Sequence, residues 1–350
     1  MTDNAKKLID KLESTHSLTV SQYSCLVENC DDELARYAAQ KAVAVRKKIY
    51  GNTVYVRGLI EISNICKNDC YYCGIRKSNH CARRYRLSEN QILKCCDEGY
   101  SLGFRTFVLQ GGEDPFFTDE VICSIVSKIK ASHSDCAVTL SLGERSKESY
   151  QKLFLAGADR YLLRHETADR EHYEMLHPPE MSFERRMQCL FELRETGFAV
   201  GCGFMVGSPW QTAENLGRDL KFIEEFKPEM CGIGPFIPHS ETPFAEKPAG
   251  RGDLTCFLLS LIRLIHNPIL LPSTTALGTI DPNGREKGIL SGANVVMPNL
   301  SPVAVRKDYS LYDNKICMGE ESAQCKQCLA QRMSSIGYEI VVDRGDIKLK

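Results

Sequence analysis

A β-rich run leads directly into a loop that carries three cysteines at residues 54–73, VYVRGLIEISNICKNDCYYC. The run from Val54 to Ile62 has the β-branched and aromatic composition of a strand. Residues 3–50, which precede it, show helical periodicity, and the helix predicted from Asp31 to Tyr50 stops at Gly51, a residue type that often terminates helices. The chain therefore changes from helices to another architecture just after Gly51.

Strand-like and helical runs alternate along the rest of the chain. The other strands are predicted at Thr106–Leu109, Ala137–Leu140, Arg160–Leu163, Ala199–Met205, Cys231–Phe236, Ile269–Leu271 and Val295–Met297. The helices between them are predicted at Glu89–Leu102, Asp119–Ala131, Lys147–Ala156, Phe183–Thr196, Thr212–Phe226, Asp253–His266 and Asp281–Leu290. Such alternation indicates an α/β fold with a parallel sheet, and eight βα units favour a closed (β/α)8 barrel of the TIM type over an open doubly wound sheet.

Three regions follow from this pattern. We expect an N-terminal helical extension over residues 1–51, the barrel over residues 52–305 and a C-terminal segment with further cysteines over residues 306–350. In a barrel of this type, functional side chains lie at the carboxyl ends of the strands. Cys66 follows the first predicted strand and Glu113 the second, so both are expected at that end.

Composition narrows the class of protein. The 350 residues include 44 basic and 45 acidic side chains, a balance that argues against a general nucleic-acid-binding surface. No run approaches the roughly 18 apolar residues of a membrane span. The 17 cysteines occur without a recognisable signal peptide, so we expect a reducing, cytoplasmic location and no disulfide framework.

The three cysteines of the first loop, Cys66, Cys70 and Cys73, have the spacing C-x3-C-x2-C. Three thiolates on one short loop can bind three irons of a 4Fe–4S cluster and leave the fourth iron open to a small molecule. The alternative is a zinc site, in which Cys81 would serve as the fourth ligand that zinc normally requires.

Polar residues follow two later strands. Gly111 and Gly112 let the backbone approach a ligand closely, and Glu113 comes next. Arg164 offers a planar fork suited to a carboxylate, and Glu166 accepts hydrogen bonds from ammonium or hydroxyl groups. A salt bridge at the rim of the barrel is the alternative role for such a pair.

The cysteine loop, with an aromatic residue before its third cysteine, resembles the radical S-adenosylmethionine (SAM) superfamily. Within that superfamily, longer stretches are similar to the FeFe-hydrogenase maturases of the E type. These are LQGGEDP (109–115), TLSLGE (139–144), DRYLLRHET (159–167), GIGPFIPH (232–239), TTALGT (274–279) and GANVVMPN (292–299). The resemblance covers residues from about 50 to 345, nearly the whole chain.

This resemblance implies a reaction. The open iron of a 4Fe–4S cluster on Cys66, Cys70 and Cys73 would bind SAM, and reduction would cleave it to methionine and a 5′-deoxyadenosyl radical. The implied substrate is an organometallic iron–cysteine compound that bears CO and CN ligands. The implied partners are an electron donor such as ferredoxin or flavodoxin and the other hydrogenase maturases.

The resemblance also implies site residues inside the barrel. Those expected to bind SAM are Gln110, Gly111, Gly112, Glu113, Thr139, Arg164, Glu166 and Arg185. Those expected to line the substrate end are Met230, Thr274, Thr275, Met297 and Tyr312. The two methionines have an equally good interpretation as core residues, because methionine fills irregular gaps.

A second cysteine set, Cys317, Cys325 and Cys328, has the spacing C-x7-C-x2-C. It can hold a surface 2Fe–2S or 4Fe–4S cluster. Some members of the resembled family have this set and others lack it, so an accessory role is expected. An unloaded thiol group and an adventitious zinc site are the alternatives.

Two other functions remain open on the sequence. Methylornithine synthase, a radical SAM mutase, shares the barrel and the first loop, but it is not expected to carry the second cysteine set. A non-enzymatic Fe–S scaffold would need the cysteines but not the line of polar residues at successive strand ends.

Overall fold

The structure is a computed structural model and describes residues 2–316 and 323–348. Three helices precede the barrel: α1 (Thr2–Thr15), α2 (Val20–Glu28) and α3 (Asp32–Tyr50). Thr19 and Asp31 cap the second and third of these, since each side chain accepts a hydrogen bond from a backbone N–H of the first turn. The helical region expected over residues 3–50 therefore contains three helices, and the helix predicted from Asp31 to Tyr50 is confirmed as α3.

Six parallel strands form most of the barrel wall. In spatial order they are β2 (Gly58–Ser63), β3 (Thr106–Gly111), β4 (Ala137–Ser141), β5 (Arg160–Leu162), β6 (Ala199–Cys202) and β8 (Met230–Cys231). Single parallel bridges complete the circle through the two remaining predicted strand regions. They join Met230 to Leu270, Pro272 to Val295, and Asn299 to Leu59. The chain therefore folds as the predicted (β/α)8 barrel.

The first predicted strand is in fact two strands. β1 (Thr53–Val56) pairs with β10 (Val295–Val296) and with β11 (Glu339–Val341). A single residue separates β1 from β2, which pairs with β3. The chain changes partners at Arg57, so one continuous β-rich run serves two sheets. Two further predicted strands divide in the same way, because β7 (Met205–Val206) and β9 (Gly234–Pro235) pair with each other beyond the ends of β6 and β8.

Helices cover the outside of the barrel. They are α4 (Glu89–Ser101), α5 (Asp119–Ser132), α6 (Lys147–Leu155), α8 (Phe183–Thr196), α9 (Ala213–Phe226), α10 (Gly252–Ile265) and α12 (Gly284–Ile289). Two short helices, α7 (Arg170–Leu176) and α11 (Thr275–Ile280), lie in regions where no helix was predicted. α13 (Lys326–Ser335) follows two 3₁₀ turns, Val303–Asp308 and Ala323–Cys325.

The terminal segments are fastened to the barrel by buried polar contacts. Tyr23 of α2 donates a hydrogen bond to Glu224 of α9 (Oη–Oε2 2.8 Å). Arg332 of α13 donates to Glu286 of α12 (Nη2–Oε2 2.7 Å). Among the described residues, no helix is both long and apolar enough to cross a membrane.

Candidate active site

The cysteine loop is an irregular segment that follows β2, and Arg84 holds its shape. The Arg84 guanidinium donates hydrogen bonds to four backbone carbonyl oxygens, at distances of 2.6 to 2.9 Å. The carbonyls belong to Asn64, Ile75, Arg76 and Asn79. Because these residues flank the three cysteines on both sides, one side chain links the two ends of the loop.

We therefore expect Arg84→Lys to impair assembly of the cluster. A lysine keeps the charge, but it lacks the planar fork that reaches four acceptors at once, and hydrogen bonds from a charged donor contribute about 1.5–3 kcal/mol each. Iron content after anaerobic reconstitution should fall several-fold while the far-UV circular dichroism of the barrel is retained. Arg83→Lys is the matched control, because the neighbouring Arg83 side chain is 83% exposed. Equal iron in the Arg84 and Arg83 variants would contradict this role.

The thiols of the loop are half-buried. Burial raises the pKa of Cys66 and of Cys70. It also raises the pKa of Cys73 to about 12, and the nearby charges of Cys66 and Glu166 add to that shift. Iron binding must therefore displace protons from these thiols at neutral pH.

The described side chains do not converge on a single ion. Within residues 2–316 and 323–348, no three His, Cys, Asp or Glu side chains lie close enough together to hold one metal ion. A single zinc needs its ligands to converge on one point, whereas a cubane presents a separate iron to each cysteine.

The glycines after β3 bring backbone against the cysteine loop. Gly112 donates to the Ser63 carbonyl (3.1 Å), and a Cβ at this position would lie 2.3 Å from the Ile65 carbonyl oxygen and 2.8 Å from the Cβ of Cys66. The next N–H, that of Glu113, points at the Cys66 sulfur (3.4 Å). Only glycine fits at position 112 without a shift of the loop.

The Glu113 carboxylate lies beside the cluster loop and is already engaged. It accepts from the N–H of Glu144 (3.0 Å) and pairs with Lys67 (Nζ–Oε2 3.1 Å). Gln110, from the same turn, donates to the Tyr309 hydroxyl (3.3 Å). The predicted residues 110–113 therefore adjoin the cysteine loop, although Gln110 is directed at Tyr309.

Three other predicted SAM residues carry buried polar atoms that lack a hydrogen-bond partner in the described part of the chain. These atoms are Oγ1 of Thr139, Nε and Nη2 of Arg164, and Oε2 of Glu166. Nη2 of Arg164 and Oε2 of Glu166 face each other as an ion pair at 3.3 Å, without the geometry of a hydrogen bond, and Glu166 has a left-handed backbone (φ 67°). Buried polar groups normally have partners, so the unpartnered Oγ1 of Thr139 and Nε of Arg164, together with this ion pair, fit a polar ligand such as SAM.

Arg185 lines an open cleft that adjoins the cysteine loop. Its guanidinium is 38% exposed and pairs with Glu192 at 3.0 Å, and the cleft is also lined by Lys67 of that loop and by Glu144. The adjacent Arg186 is the buried one: it donates to Glu144 (Nε–Oε1 2.6 Å) and to the Arg164 carbonyl (2.8 Å). Sequence reasoning missed Arg186, because two consecutive arginines at the start of a helix give no signal of which one faces inward.

His165 stands between Arg164 and Glu166 and is completely buried. Its Nδ1 accepts from the N–H of Gly203 (3.3 Å), and its Nε2 lies 3.3 Å from Oδ1 of Asp219, which is also completely buried. Burial lowers the pKa of His165 to about 3 and raises that of Asp219. This pair therefore supports the turn that carries the SAM-binding candidates.

A small cavity marks the predicted substrate end. Its lining includes two of the predicted residues, Thr275 and Met297, together with Leu59, Glu61, Arg285, Asn299, Lys315 and Ile316. Thr274 adjoins it, and its buried Oγ1 lacks a hydrogen-bond partner among the described residues. Lys315 forms a buried ion pair with Glu61 and donates to the Tyr309 carbonyl (2.8 Å). This charged pair inside the barrel was not predicted, because its members are far apart in sequence.

Met230 and Tyr312 are not among the side chains that the structure assigns to that cavity. Met230 packs with Tyr50, Tyr55 and Leu270, and its sulfur lies 2.9 Å from Nη1 of Arg57. Tyr312 follows Leu311, whose carbonyl accepts a hydrogen bond from the N–H of Gly74 in the cysteine loop (2.8 Å). The predicted substrate residues are thus brought together only in part.

The second cysteine set is described in part. Cys317 lies outside the described residues. Cys325 and Cys328 form a disulfide in the structure. The N–H of Ala323, beside them, donates to the carbonyl of Asn299 (3.0 Å), so Cys325 and Cys328 lie near the predicted substrate end of the barrel.

Comparison with known proteins agrees with this geometry. The model of the radical SAM superfamily matches residues 60–223. The [FeFe] hydrogenase maturase subunit HydE of Thermotoga maritima is 44% identical over 87% of this chain and 86% of its own length. The 3-methylornithine synthase of Methanosarcina acetivorans is 27% identical over 88% of this chain and 86% of its own.

The fold has a close structural counterpart. The crystal structure of methylornithine synthase (PylB) superposes with a TM-score of 0.84 at 24% identity, over 95% of this chain and 97% of that one. This likeness concerns the fold alone. On the sequence match to HydE and the superfamily match, this chain belongs to the radical SAM superfamily and, within it, to the HydE-type maturases.

Proposed function

We propose that this chain cleaves SAM reductively at a 4Fe–4S cluster and uses the radical in maturation of the FeFe-hydrogenase active site. One observation carries the proposal: the buried Oγ1 of Thr139 and Nε of Arg164 lack hydrogen-bond partners among the described residues, and Arg164 is ion-paired with Glu166, whose charge acts on Cys73 of the cysteine loop. When bound, the cluster supplies the single electron that splits SAM into methionine and a 5′-deoxyadenosyl radical.

The side chains have separable tasks in this proposal. Cys66, Cys70 and Cys73 hold the cluster, and Gly112 lets the backbone lie against Cys66. Arg164 orients the SAM carboxylate through its guanidinium, whose Nε–H lacks a hydrogen-bond partner among the described residues, because a guanidinium fork matches a carboxylate. Glu166 accepts from the ribose hydroxyls or the ammonium group of SAM.

The proposed substrate rests on the small cavity at the predicted substrate end of the barrel, which Thr275 and Met297 line. Thr274 and Thr275 hydroxyls, with Arg285 beside them, suit an anionic carboxylate such as that of an iron-bound cysteine. Met297 lines the same cavity, and its thioether sulfur is polarisable. The proposed substrate is therefore an organometallic iron–cysteine compound, as the family relationship suggests, with the other maturases as partners in a reducing cytoplasm.

The test is an anaerobic maturation assay with apo-hydrogenase, the other maturation factors, SAM and this protein. Hydrogen evolution and 5′-deoxyadenosine are measured together, with Cys66→Ser as the inactive control. We expect both signals only with intact Cys66. Cys325→Ser should lower iron content and leave both signals in place, because we propose an accessory role for the second cysteine set. Loss of SAM cleavage in Cys325→Ser would contradict that role.

The same assay distinguishes the maturase proposal from a second candidate function. The match to 3-methylornithine synthase, at 27% identity, makes a mutase the alternative. If 5′-deoxyadenosine forms while hydrogenase stays inactive in the complete mixture, the radical chemistry stands and the maturation proposal fails. If neither signal appears with fully reconstituted protein, the radical chemistry itself is wrong and a scaffold role takes its place.

A further inference from the structure

A buried ion pair lies inside the barrel and has no part in the proposed SAM chemistry. Glu61, on β2, is completely buried, and the Lys315 side chain that pairs with it is 8% exposed. Replacing a buried ion pair by well-packed apolar residues is often neutral or stabilising, so such a pair is weak evidence for a purely stabilising role. Because this pair borders the substrate cavity, ligand binding explains it better than stability does.

The backbone around Lys315 is held by other contacts. The N–H of Asp313 donates to the carbonyl of Pro238 (3.0 Å). The N–H of Ile316 donates to Oγ1 of Thr279 (3.4 Å). These bonds fasten the chain on both sides of Lys315, so the segment does not depend on the ion pair for its position.

The Glu61 carboxylate has partners on both of its oxygens. Oε1 accepts from Lys315, and Oε2 accepts from the side-chain amide of Asn299 (2.8 Å). The Asn299 side-chain oxygen in turn accepts from the N–H of Ser301 (2.8 Å), which fixes the orientation of the amide. Glu61 is therefore a fixed acceptor that holds the Lys315 ammonium in one place.

The Lys315 ammonium keeps donor capacity toward the cavity. An ammonium group has three N–H donors. Within the described part of the chain, two of them are used, one by Glu61 and one by the carbonyl of Tyr309 (2.8 Å). Lys315 lines the small cavity together with Thr275 and Met297. The third N–H is therefore available to an acceptor group in that cavity.

Lys315 and Thr275 reach the cavity from different parts of the fold. Thr275 begins α11, whereas Glu61, the partner of Lys315, is the register neighbour of Gln110 on β3. Gln110 also donates to the hydroxyl of Tyr309, whose carbonyl accepts from Lys315. The ion pair therefore adjoins the SAM-binding candidates, and a ligand in the cavity meets hydroxyl groups from α11 and an ammonium group from the SAM side.

We propose that Lys315 determines substrate specificity by binding a negatively charged acceptor group of the substrate, distinct from the carboxylate that Thr274 and Thr275 would hold. This inference rests on the proposed function, because it concerns the substrate of that reaction. The ammonium donates a hydrogen bond, no covalent bond changes, and Glu61 keeps the ammonium oriented. A site built to pair with a charged acceptor rejects compounds that lack it, because its own buried donor is then left unmatched.

The test measures binding separately from turnover. The probe is a synthetic iron–cysteine complex with CO and CN ligands, added to the cluster-containing protein with SAM and without reductant. Equilibrium dialysis gives its dissociation constant, and the infrared bands of its ligands report their surroundings. The variants are Glu61→Gln and Glu61→Gln/Lys315→Gln, the second of which replaces both charges by amides. Lys307→Gln is the matched control, because it removes an exposed lysine from the preceding 3₁₀ turn.

We expect the two variants to change binding in opposite directions. Glu61→Gln should bind the probe several-fold more tightly than wild type, because the carboxylate that competes for the ammonium and repels an anion is gone. Glu61→Gln/Lys315→Gln should bind it about 10-fold or more weakly than wild type, the loss expected for a hydrogen bond from a charged donor. The infrared bands of the probe should also shift in that variant, and Lys307→Gln should match wild type in both measurements.

Weaker or unchanged binding in Glu61→Gln would overturn the proposal, because the ion pair would then serve only to shape the cavity. Unchanged binding in Glu61→Gln/Lys315→Gln would overturn it as well. Circular dichroism and iron content establish that each variant is folded, and if the double variant is not, Glu61→Gln alone decides. A wild type that binds SAM but not the probe would instead refute the proposed substrate, and with it the proposed function.

Discussion

Cys66→Ser should abolish iron binding at the first cysteine loop and, with it, all SAM cleavage. The loop offers one sulfur to each of three irons, so loss of one ligand leaves a second iron open. Serine cannot replace it, because an alcohol at this position has a far higher pKa than a thiol. The parent protein for this test is Cys325→Ser/Cys328→Ser, in which the second cysteine set cannot contribute. Adding Cys66→Ser to that parent should lower iron and acid-labile sulfide per chain to background after anaerobic reconstitution.

Cys81→Ser is the matched control. Cys81 belongs to the same loop, is exposed, and interacts with Glu241. Iron content and 5′-deoxyadenosine formation should therefore be those of the parent protein. If Cys81→Ser loses metal to the same extent as Cys66→Ser, and the metal is zinc, the four-cysteine zinc alternative replaces the cluster.

Gly112→Ala should have the second largest effect. A methyl group at this position would approach the Ile65 carbonyl oxygen to 2.3 Å and the Cβ of Cys66 to 2.8 Å, and neither atom can move without the cysteine loop. Displacement of reacting groups by about 1 Å can cost about 100-fold in rate. We expect a loss of that order in the rate of 5′-deoxyadenosine formation with dithionite as reductant.

Gly111→Ala separates this local clash from a general effect on the turn. Its added methyl group would come no closer than 3.3 Å to Ile62 or Ser63, a contact that small adjustments relieve. Its loss of rate should therefore be much smaller than that of Gly112→Ala. Equal losses in both variants would show that the close approach of residue 112 to Cys66 is not what the reaction requires.

The barrel was predictable from the sequence because its strands are buried apolar runs separated by well-capped helices. Ser88, Ser146 and Thr212, for example, each begin a helix by accepting a backbone hydrogen bond. The partner change at Arg57 was not predictable, because local composition does not reveal which sheet a strand joins. The helix at Thr275–Ile280 escaped prediction because it is only six residues long.

The candidate site was predictable where residues are adjacent in sequence. The cysteine loop and residues 110–113 are of this kind, and the structure brings them together. Arg84, Arg186 and the Lys315–Glu61 pair were missed, because their contacts join distant segments. Several arginines follow Cys73 closely in the sequence, and this was the feature that could have pointed to Arg84.

The most direct test of the central claim is the fate of SAM on the reduced, reconstituted protein. SAM is added in the absence of any other substrate, and 5′-deoxyadenosine and methionine are quantified over time. The account predicts that both products form in equal amounts from the wild type, only after reduction, and not from Cys66→Ser. An iron-loaded, reduced wild type that leaves SAM intact would contradict it.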